Sequence, residues 1–166
     1  MIGRDSLVGG SSAFGNKIAL SRAVAQITGR GSVLHVDRLC DLAERSTAFR
    51  AILARHQNLV LAQAQQSAAC NATHPLEARL ARCLLRCRDL LHSEHIPLTQ
   101  EYIAEMLGVR RTTVTLVART LQKAGLIQYT RGHIRIDDLD GLRESACECY
   151  AILKGHFDRL LGPAKI

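Results

Sequence analysis

The sequence predicts a mainly α-helical protein with a small β component, in which a long helix precedes a winged helix-turn-helix unit. Three observations lead to this fold class. The core must be aliphatic, because aromatic residues make up only 4% of the chain and tryptophan is absent. Apolar residues recur at three- and four-residue steps over much of residues 41–124. Two short helical patterns that meet at a glycine are then followed by a hairpin pattern.

Length and charge narrow the classes of protein. The 166 residues suit one or two small domains. No apolar run approaches the roughly 20 residues of a membrane-spanning helix, and residues 1–16 lack the pattern of a secretory signal, so we expect a cytoplasmic protein without membrane contact. The net charge of +7 favours polyanionic partners. Between Arg110 and Lys123 every charged residue is basic, whereas most of the charged residues in 137–148 are acidic.

Residues 1–40 differ from the rest of the chain in composition and in hydrophobic pattern. They are rich in glycine and serine, and the runs at 23–27 and 32–36 are short, β-branched and bounded by glycines, as strands are. Two or three strands form no stable sheet alone. We therefore interpret this segment as part of a larger β unit, or as strands that pack on helices or a partner.

A long helix is predicted from Ser46 or Thr47 to about residue 72, within a segment covering 41–73. His74 precedes a proline, which disfavours the helical conformation there. An apolar stripe this long would stay under-buried in a monomer, which favours pairing with a second copy. Packing within the chain is the open alternative. The predicted dimer interface comprises Phe49, Ile52, Leu53, His56, Leu59, Val60 and Ala64.

Residues 74–166 form the third segment. After a helix to about Leu91, Thr99 is a plausible N-cap and Gly108 a helix end. The next helix covers 110–124, and a hairpin turns at Arg131–Gly132. Residues 138–161 are predicted to form one or two final helices.

The helix at 110–124 has two distinct faces at 100° per residue. Its apolar face comprises Val114, Val117, Ala118 and Leu121, and its opposite face comprises Arg111, Thr112, Thr115, Leu116 and Arg119. Arginine can bond guanine, threonine a base edge or phosphate, and an aliphatic side chain the thymine methyl. A merely solvated helix face would be expected to carry acidic partners for its arginines. The face therefore predicts a helix that reads DNA.

Residues 98–136, LTQEYIAEMLGVRRTTVTLVARTLQKAGLIQYTRGHIRI, resemble the DNA-binding domain of the cyclic-AMP receptor/FNR family of bacterial transcription regulators. The long helix resembles that family's dimerisation helix, and residues 1–40 resemble a remnant of its cyclic-nucleotide-binding-like β-roll. The resemblance implies that Arg111 contacts a guanine. Thr112 and Leu116 stand where many members carry a base-reading glutamate and arginine, so the family's best-known operator does not transfer.

The resemblance also implies contacts with DNA phosphates. Thr113 matches a phosphate-contacting threonine, and Arg110 replaces a frequent serine cap, which a phosphate at the helix end could offset. The expected phosphate-contacting residues are Thr99, Gln100, Arg110, Thr113, Arg119, Arg131 and His133. Cyclic-nucleotide binding is not expected, because residues 21–22 read Ser-Arg instead of the family's Arg-Ser and no glutamate precedes Glu44.

The six cysteines suggest reduced thiols. Cys83 and Cys87, or Cys147 and Cys149, could each be half of a metal site. Without a C-x-x-C pair, however, buried or incidental thiols are the expectation, with no metal site and no cofactor. A thiol or metal sensor is a lesser alternative.

The sequence thus predicts a transcription regulator that binds a partly palindromic site on double-stranded DNA as a homodimer, and it leaves RNA polymerase open as a further partner. The alternative is an interaction protein, without an effector of its own, that pairs with full-length relatives and modulates them. An enzyme is not expected, because the chain has no phosphate-binding glycine loop, nucleophile–base pair or catalytic metal signature.

Overall fold

The computed structural model describes residues 1–3, 6–15, 17–19 and 21–161, and it divides into two compact units. One unit comprises Gln66–Ile152 together with Met1, and the other comprises Ile2–Gln65 together with the chain from Leu153 onwards. Among the described residues, no helix is both long enough and apolar enough to cross a membrane.

The first of these units contains most of the regular structure. In it, a helix is followed by a short strand, a pair of helices, a β-hairpin, a further helix and the start of the last helix. Their bounds are α3 Leu76–Leu91, β1 His95–Ile96, α4 Gln100–Leu107, α5 Arg111–Lys123, β2 Ile127–Thr130, β3 His133–Ile136, α6 Leu139–Ser145 and α7 Cys149–Leu161. This is the order of a winged helix-turn-helix domain, as the sequence predicts.

The three strands form one antiparallel sheet in the order β1-β3-β2. Strand β3 lies in the middle of the sheet. Its residue His133 pairs with Thr130 of β2, and its residue Arg135 pairs with His95 of β1. Strand β1 is not among the elements predicted from the sequence, because two residues are too few to show an alternating pattern. The fully buried aliphatic side chains of this unit are Leu80, Leu84, Leu85, Ile96, Leu98, Ile103, Leu107, Val114, Ile127, Ile134 and Leu142.

The helix boundaries follow from local chemistry. The Thr99 hydroxyl accepts a hydrogen bond from the Tyr102 N–H at 3.4 Å, which caps α4 as predicted. Gly108 has φ 65°, a left-handed conformation that ends α4 and that residues with a Cβ rarely adopt. The side chain of Arg79, on α3, is buried and donates hydrogen bonds to the Leu107 carbonyl at the end of α4 and to Asn71 Oδ1.

The second unit is smaller and largely helical. A 3-10 helix at Gly10–Phe14 is followed by α1 at Val36–Arg45 and by α2 at Thr47–Thr73, whose last turns belong to the first unit. The long helix predicted from residue 46 or 47 to about 72 is therefore confirmed. Buried Leu39, Ala43 and Leu53 form an apolar cluster, against which Leu7, Ala13 and Phe49 pack.

The strands predicted at 23–27 and 32–36 are absent. Residues 23–35 have no regular secondary structure, and Val36 begins α1, where the His35 ring accepts a hydrogen bond from the Asp37 N–H. A strand needs a neighbouring strand to pair its backbone groups. No other strand lies in the part of residues 1–46 that the structure describes, so the β-branched runs have no edge to join.

Candidate nucleic-acid interface

Helix α5 has the two faces that its sequence predicts. Val114, Val117, Ala118 and Leu121 are buried, and α5 packs against both α3 and α4. On the opposite side Arg111, Thr112 and Arg119 are exposed, as is Leu116 with 63% of its surface accessible, whereas Thr113 and Thr115 are half-buried. An exposed leucine beside arginines and hydroxyls gives a surface that can make polar and apolar contacts together.

The Arg111 side chain is not alone on this surface. Its Nη1 lies 2.8 Å from Glu101 Oε1 of α4, and both side chains are more than half exposed. Hydrogen bonding to its own backbone N–H, together with the Arg111 charge, lowers the pKa of Glu101. The expectation that Arg111 has no acidic partner was wrong, because Glu101 belongs to the neighbouring helix and not to α5 itself.

A second contact joins the same two helices. The Thr115 hydroxyl lies 2.7 Å from Gln100 Oε1 and donates to it, and the Gln100 side chain is buried. The Gln100 side chain therefore faces α5 and not the outer surface, so a phosphate contact from this residue would fall to its backbone N–H in the first turn of α4. The Thr115 hydroxyl proton is therefore used in a hydrogen bond within the domain and is not available to a DNA base.

The N-terminus of α5 has no side-chain cap. Arg110 stands at the N-cap position with an extended backbone, and no side chain accepts a hydrogen bond from the first turn there. The backbone N–H groups and the positive end of the helix dipole are suited to an anionic oxygen. Exposed Arg110 and Arg111 add two positive charges at the same helix end.

The tip of the β-hairpin lies next to the start of α4. Gly132 turns the hairpin with φ 79°, and a Cβ built on it would lie 4.0 Å from the Thr99 Cγ2 atom. Arg131 and His133 on either side of Gly132 are exposed. The start of α4 thus contacts α5 through Gln100 and lies close to the hairpin tip at Thr99, so the predicted DNA-contacting residues of the three elements are neighbours.

The predicted dimer-interface residues lie along α2 in mixed surroundings. Leu53, His56 and Leu59 are buried, Phe49 and Val60 are half-buried, and Ile52 and Ala64 are exposed. Several of them have partners within the chain: Leu53 and Phe49 pack in the cluster with Leu39 and Ala43, and the His56 ring contacts the Ser6 hydroxyl. Packing within the chain, the alternative in the sequence analysis, therefore accounts for part of the stripe.

Comparison with known proteins agrees with this geometry. The family model of the Crp-like helix-turn-helix domain matches residues 78–145. By this match, the chain carries a Crp-like helix-turn-helix domain. It is also 35% identical over 100 residues to the transcriptional regulator SdrP of Thermus thermophilus, an alignment that covers 57% of this chain and 50% of SdrP. The chain therefore spans about half the length of that curated relative.

Two solved structures of Thermus thermophilus regulators are similar to this chain. A CRP-family regulator superposes with a TM-score of 0.52 at 28% identity, covering 57% of this chain and 51% of that one. A CRP/FNR-family regulator superposes with a TM-score of 0.53 at 31% identity, covering 56% and 51%. The resemblance inferred from residues 98–136 is confirmed, and so is the winged helix-turn-helix fold.

Proposed function

We propose that this chain is a sequence-specific transcription regulator that inserts α5 into the major groove of double-stranded DNA. The observation that carries the proposal is the solvent-facing side of α5, where Arg111, Thr112, Leu116 and Arg119 are exposed together on a Crp-like domain. A helix-turn-helix presents the N-terminal part of its second helix to base edges. Arg111, Thr112 and Leu116 lie in that part.

Base reading is assigned to these three residues. Arg111 is suited to two hydrogen bonds with guanine, and the exposed Leu116 side chain to a thymine methyl. Thr112 can bond a base edge. Thr115 was also expected to read bases, but its hydroxyl donates to buried Gln100, so we assign it to positioning α5 on α4.

Register on the duplex is assigned to phosphate contacts around the base-reading residues. The uncapped N-terminus of α5, with Arg110 and Thr113 in its first turn, forms one such contact region. The other is the start of α4 at Thr99 and Gln100 with the hairpin tip at Arg131 and His133, and Arg119 lies further along α5. Contacts of this kind position a protein on DNA without reading sequence.

A homodimer is the proposed binding form. Two copies paired through α2 would place their α5 helices in successive major grooves about 34 Å apart, on a partly palindromic site. The support is the surface that α2 leaves after packing within the chain. Ile52 remains 49% exposed, and further along the predicted stripe Val60 is half-buried and Ala64 is exposed.

Equilibrium binding to a duplex at several salt concentrations tests this function. Each neutralised phosphate contributes a slope of about −0.9 to log K against log[salt]. Arg110, Arg119 and Arg131 from two copies would neutralise six phosphates, so we expect a slope near −5 on the same principle. A slope close to zero would exclude the proposed phosphate contacts. If the affinity falls with salt as expected but is equal for every duplex sequence, sequence-specific regulation is excluded.

A further inference from the structure

A cluster of three cysteines and one histidine lies outside the proposed DNA surface. Cys70 lies near the end of α2 and His74 directly follows that helix, whereas Cys147 lies between α6 and α7 and Cys149 is the first residue of α7. One ligand atom from each residue can be chosen so that all four lie within 4.8 Å of one another. All four residues belong to the unit Gln66–Ile152.

Two separations within the cluster are close to those around a tetrahedral zinc ion, and the remaining ones are at most 4.8 Å. Cys70 Sγ and Cys147 Sγ are 3.5 Å apart, and Cys149 Sγ and His74 Nδ1 are 3.6 Å apart. Zinc bonds of ~2.3 Å to sulfur and ~2.0 Å to nitrogen place tetrahedral ligand atoms about 3.5–3.8 Å from each other. A Cys3His set is a common structural zinc site, and it leaves no position open for a substrate.

The neighbouring side chains hold the ligands as a metal site requires. His74 Nε2 lies 3.1 Å from Glu148 Oε1, so a proton on Nε2 leaves the Nδ1 lone pair directed at the cysteines. Zinc-binding histidines regularly pair with a carboxylate in this way. Gln66 Nε2 donates to Cys149 Sγ at 3.0 Å, and a donor so placed favours a thiolate acceptor.

Two other interpretations fit less well. Buried cysteines can be simple apolar packing, but apolar packing does not account for a histidine–carboxylate pair and an amide donor on the same sulfur cluster. Redox-sensing cysteines are solvent-accessible and have low pKa values. Here Cys70 is 0% and Cys149 1% exposed.

We propose that Cys70, His74, Cys147 and Cys149 bind one structural Zn²⁺ ion. On binding, the three thiols release three protons to solvent, the zinc keeps its oxidation state, and the finished site carries a charge of −1. The ion would tie the end of α2 to the junction between α6 and α7. This inference does not depend on DNA binding.

Metal analysis of the 166-residue chain, purified under reducing conditions without chelator, tests the site. We expect about one zinc per chain by mass spectrometry, and Co²⁺ exchange should give the visible absorption of a tetrahedral thiolate complex. Protein without stoichiometric zinc that also fails to give the Co²⁺ spectrum would overturn the proposal. So would a Cys70–Cys147 disulfide whose reduction restores no metal binding.

Variants separate coordination from folding. Cys149→Ala should lose the zinc, whereas Cys40→Ala, outside the cluster, should keep it. Because Cys149→Ala can also unfold the domain, the decisive variant is Glu148→Gln, which removes only the charge beside His74. We expect it to weaken zinc affinity about 10–100-fold in a chelator competition. Glu144→Gln, an exposed matched control on α6, should leave the affinity unchanged, and equal affinities in both variants would contradict the arrangement.

Discussion

Arg111 of α5 and Glu101 of α4 form an ion pair at 2.8 Å on the surface proposed to face DNA. The Glu101 carboxylate repels an approaching phosphate, and it pairs with the guanidinium that is proposed to bind a guanine. The pair is exposed to solvent and hence weak. Breaking the pair so that Arg111 can bind a guanine therefore requires little free energy. At a DNA site without that guanine, the Glu101 carboxylate should weaken binding, because its repulsion of phosphates is not offset by a new contact of Arg111.

Glu101→Gln should tighten binding to DNA of unrelated sequence more than binding to the preferred site. The expected gain is up to about fivefold, because an exposed ion pair contributes little to the free energy. Fluorescence anisotropy with the two duplexes at fixed salt measures it. Glu105→Gln removes the same charge one turn further along α4, and an equal gain in both variants would show that the Arg111 pair has no specific role.

Arg111→Ala should abolish the preference for one guanine in each half-site. Loss of a bidentate arginine–guanine contact costs about 1–3 kcal/mol of discrimination. Competition between the preferred duplex and duplexes substituted at single positions measures the effect. Equal weakening on every duplex would instead place Arg111 among the backbone contacts.

Arg131→Ala should weaken binding to all sequences alike. Arg131 lies at the hairpin tip, where its contacts are assigned to phosphates, so the salt slope should fall by about 1 per lost contact. The control is Arg135→Ala on the same hairpin, because Arg135 Nε is already paired with Asp137 Oδ1 at 2.6 Å. His133→Ala should behave like Arg131→Ala. A shift in preferred sequence in either variant would contradict the assignment.

Ile52→Glu should convert the dimer into monomers. It places a charge on the exposed side of α2 that is proposed to meet a second copy, where burying an unpaired charge is strongly unfavourable. Leu61→Glu is the control, since Leu61 is 57% exposed and lies about half a turn away around the helix. Light scattering after gel filtration gives the masses. A wild-type monomer, or a dimer in both variants, would rule out this interface.

Arg79→Ala should destabilise the helix-turn-helix unit without changing its DNA surface. The buried guanidinium donates to the Leu107 carbonyl and to Asn71, and hydrogen bonds to charged groups contribute about 1.5–3 kcal/mol. Urea unfolding measures the free energy of unfolding. Arg119→Ala, an exposed arginine on α5, should change it by less than about 0.5 kcal/mol, and similar losses in both variants would refute the structural role.

The sequence predicted the elements whose signals are local. Thr99, Gly108 and the apolar spacing of α5 mark the helix pair within a few residues, and the strands on either side of Arg131–Gly132 were recognised from their own pattern. The runs at 23–27 and 32–36 carried the same kind of pattern but form no strand, because pairing depends on a neighbouring strand that local sequence does not reveal.

Contacts between distant residues were beyond local patterns. Glu101 reaches Arg111 only because α4 and α5 cross, and Gln100 is buried only because Thr115 lies above it. The cysteine cluster is the strongest case. Cys147 and Cys149 were considered as half of a metal site, but Cys70 and His74 lie more than seventy residues earlier, and no spacing rule joins the two pairs.

Selection of duplexes from a random DNA pool by the purified chain examines base reading, symmetry and half-site spacing together. We expect an enriched site with two inverted half-sites about one helical turn apart, each with a guanine whose enrichment disappears in Arg111→Ala. A pool that shows no enriched sequence, or an enriched sequence that Arg111→Ala selects equally well, would contradict it.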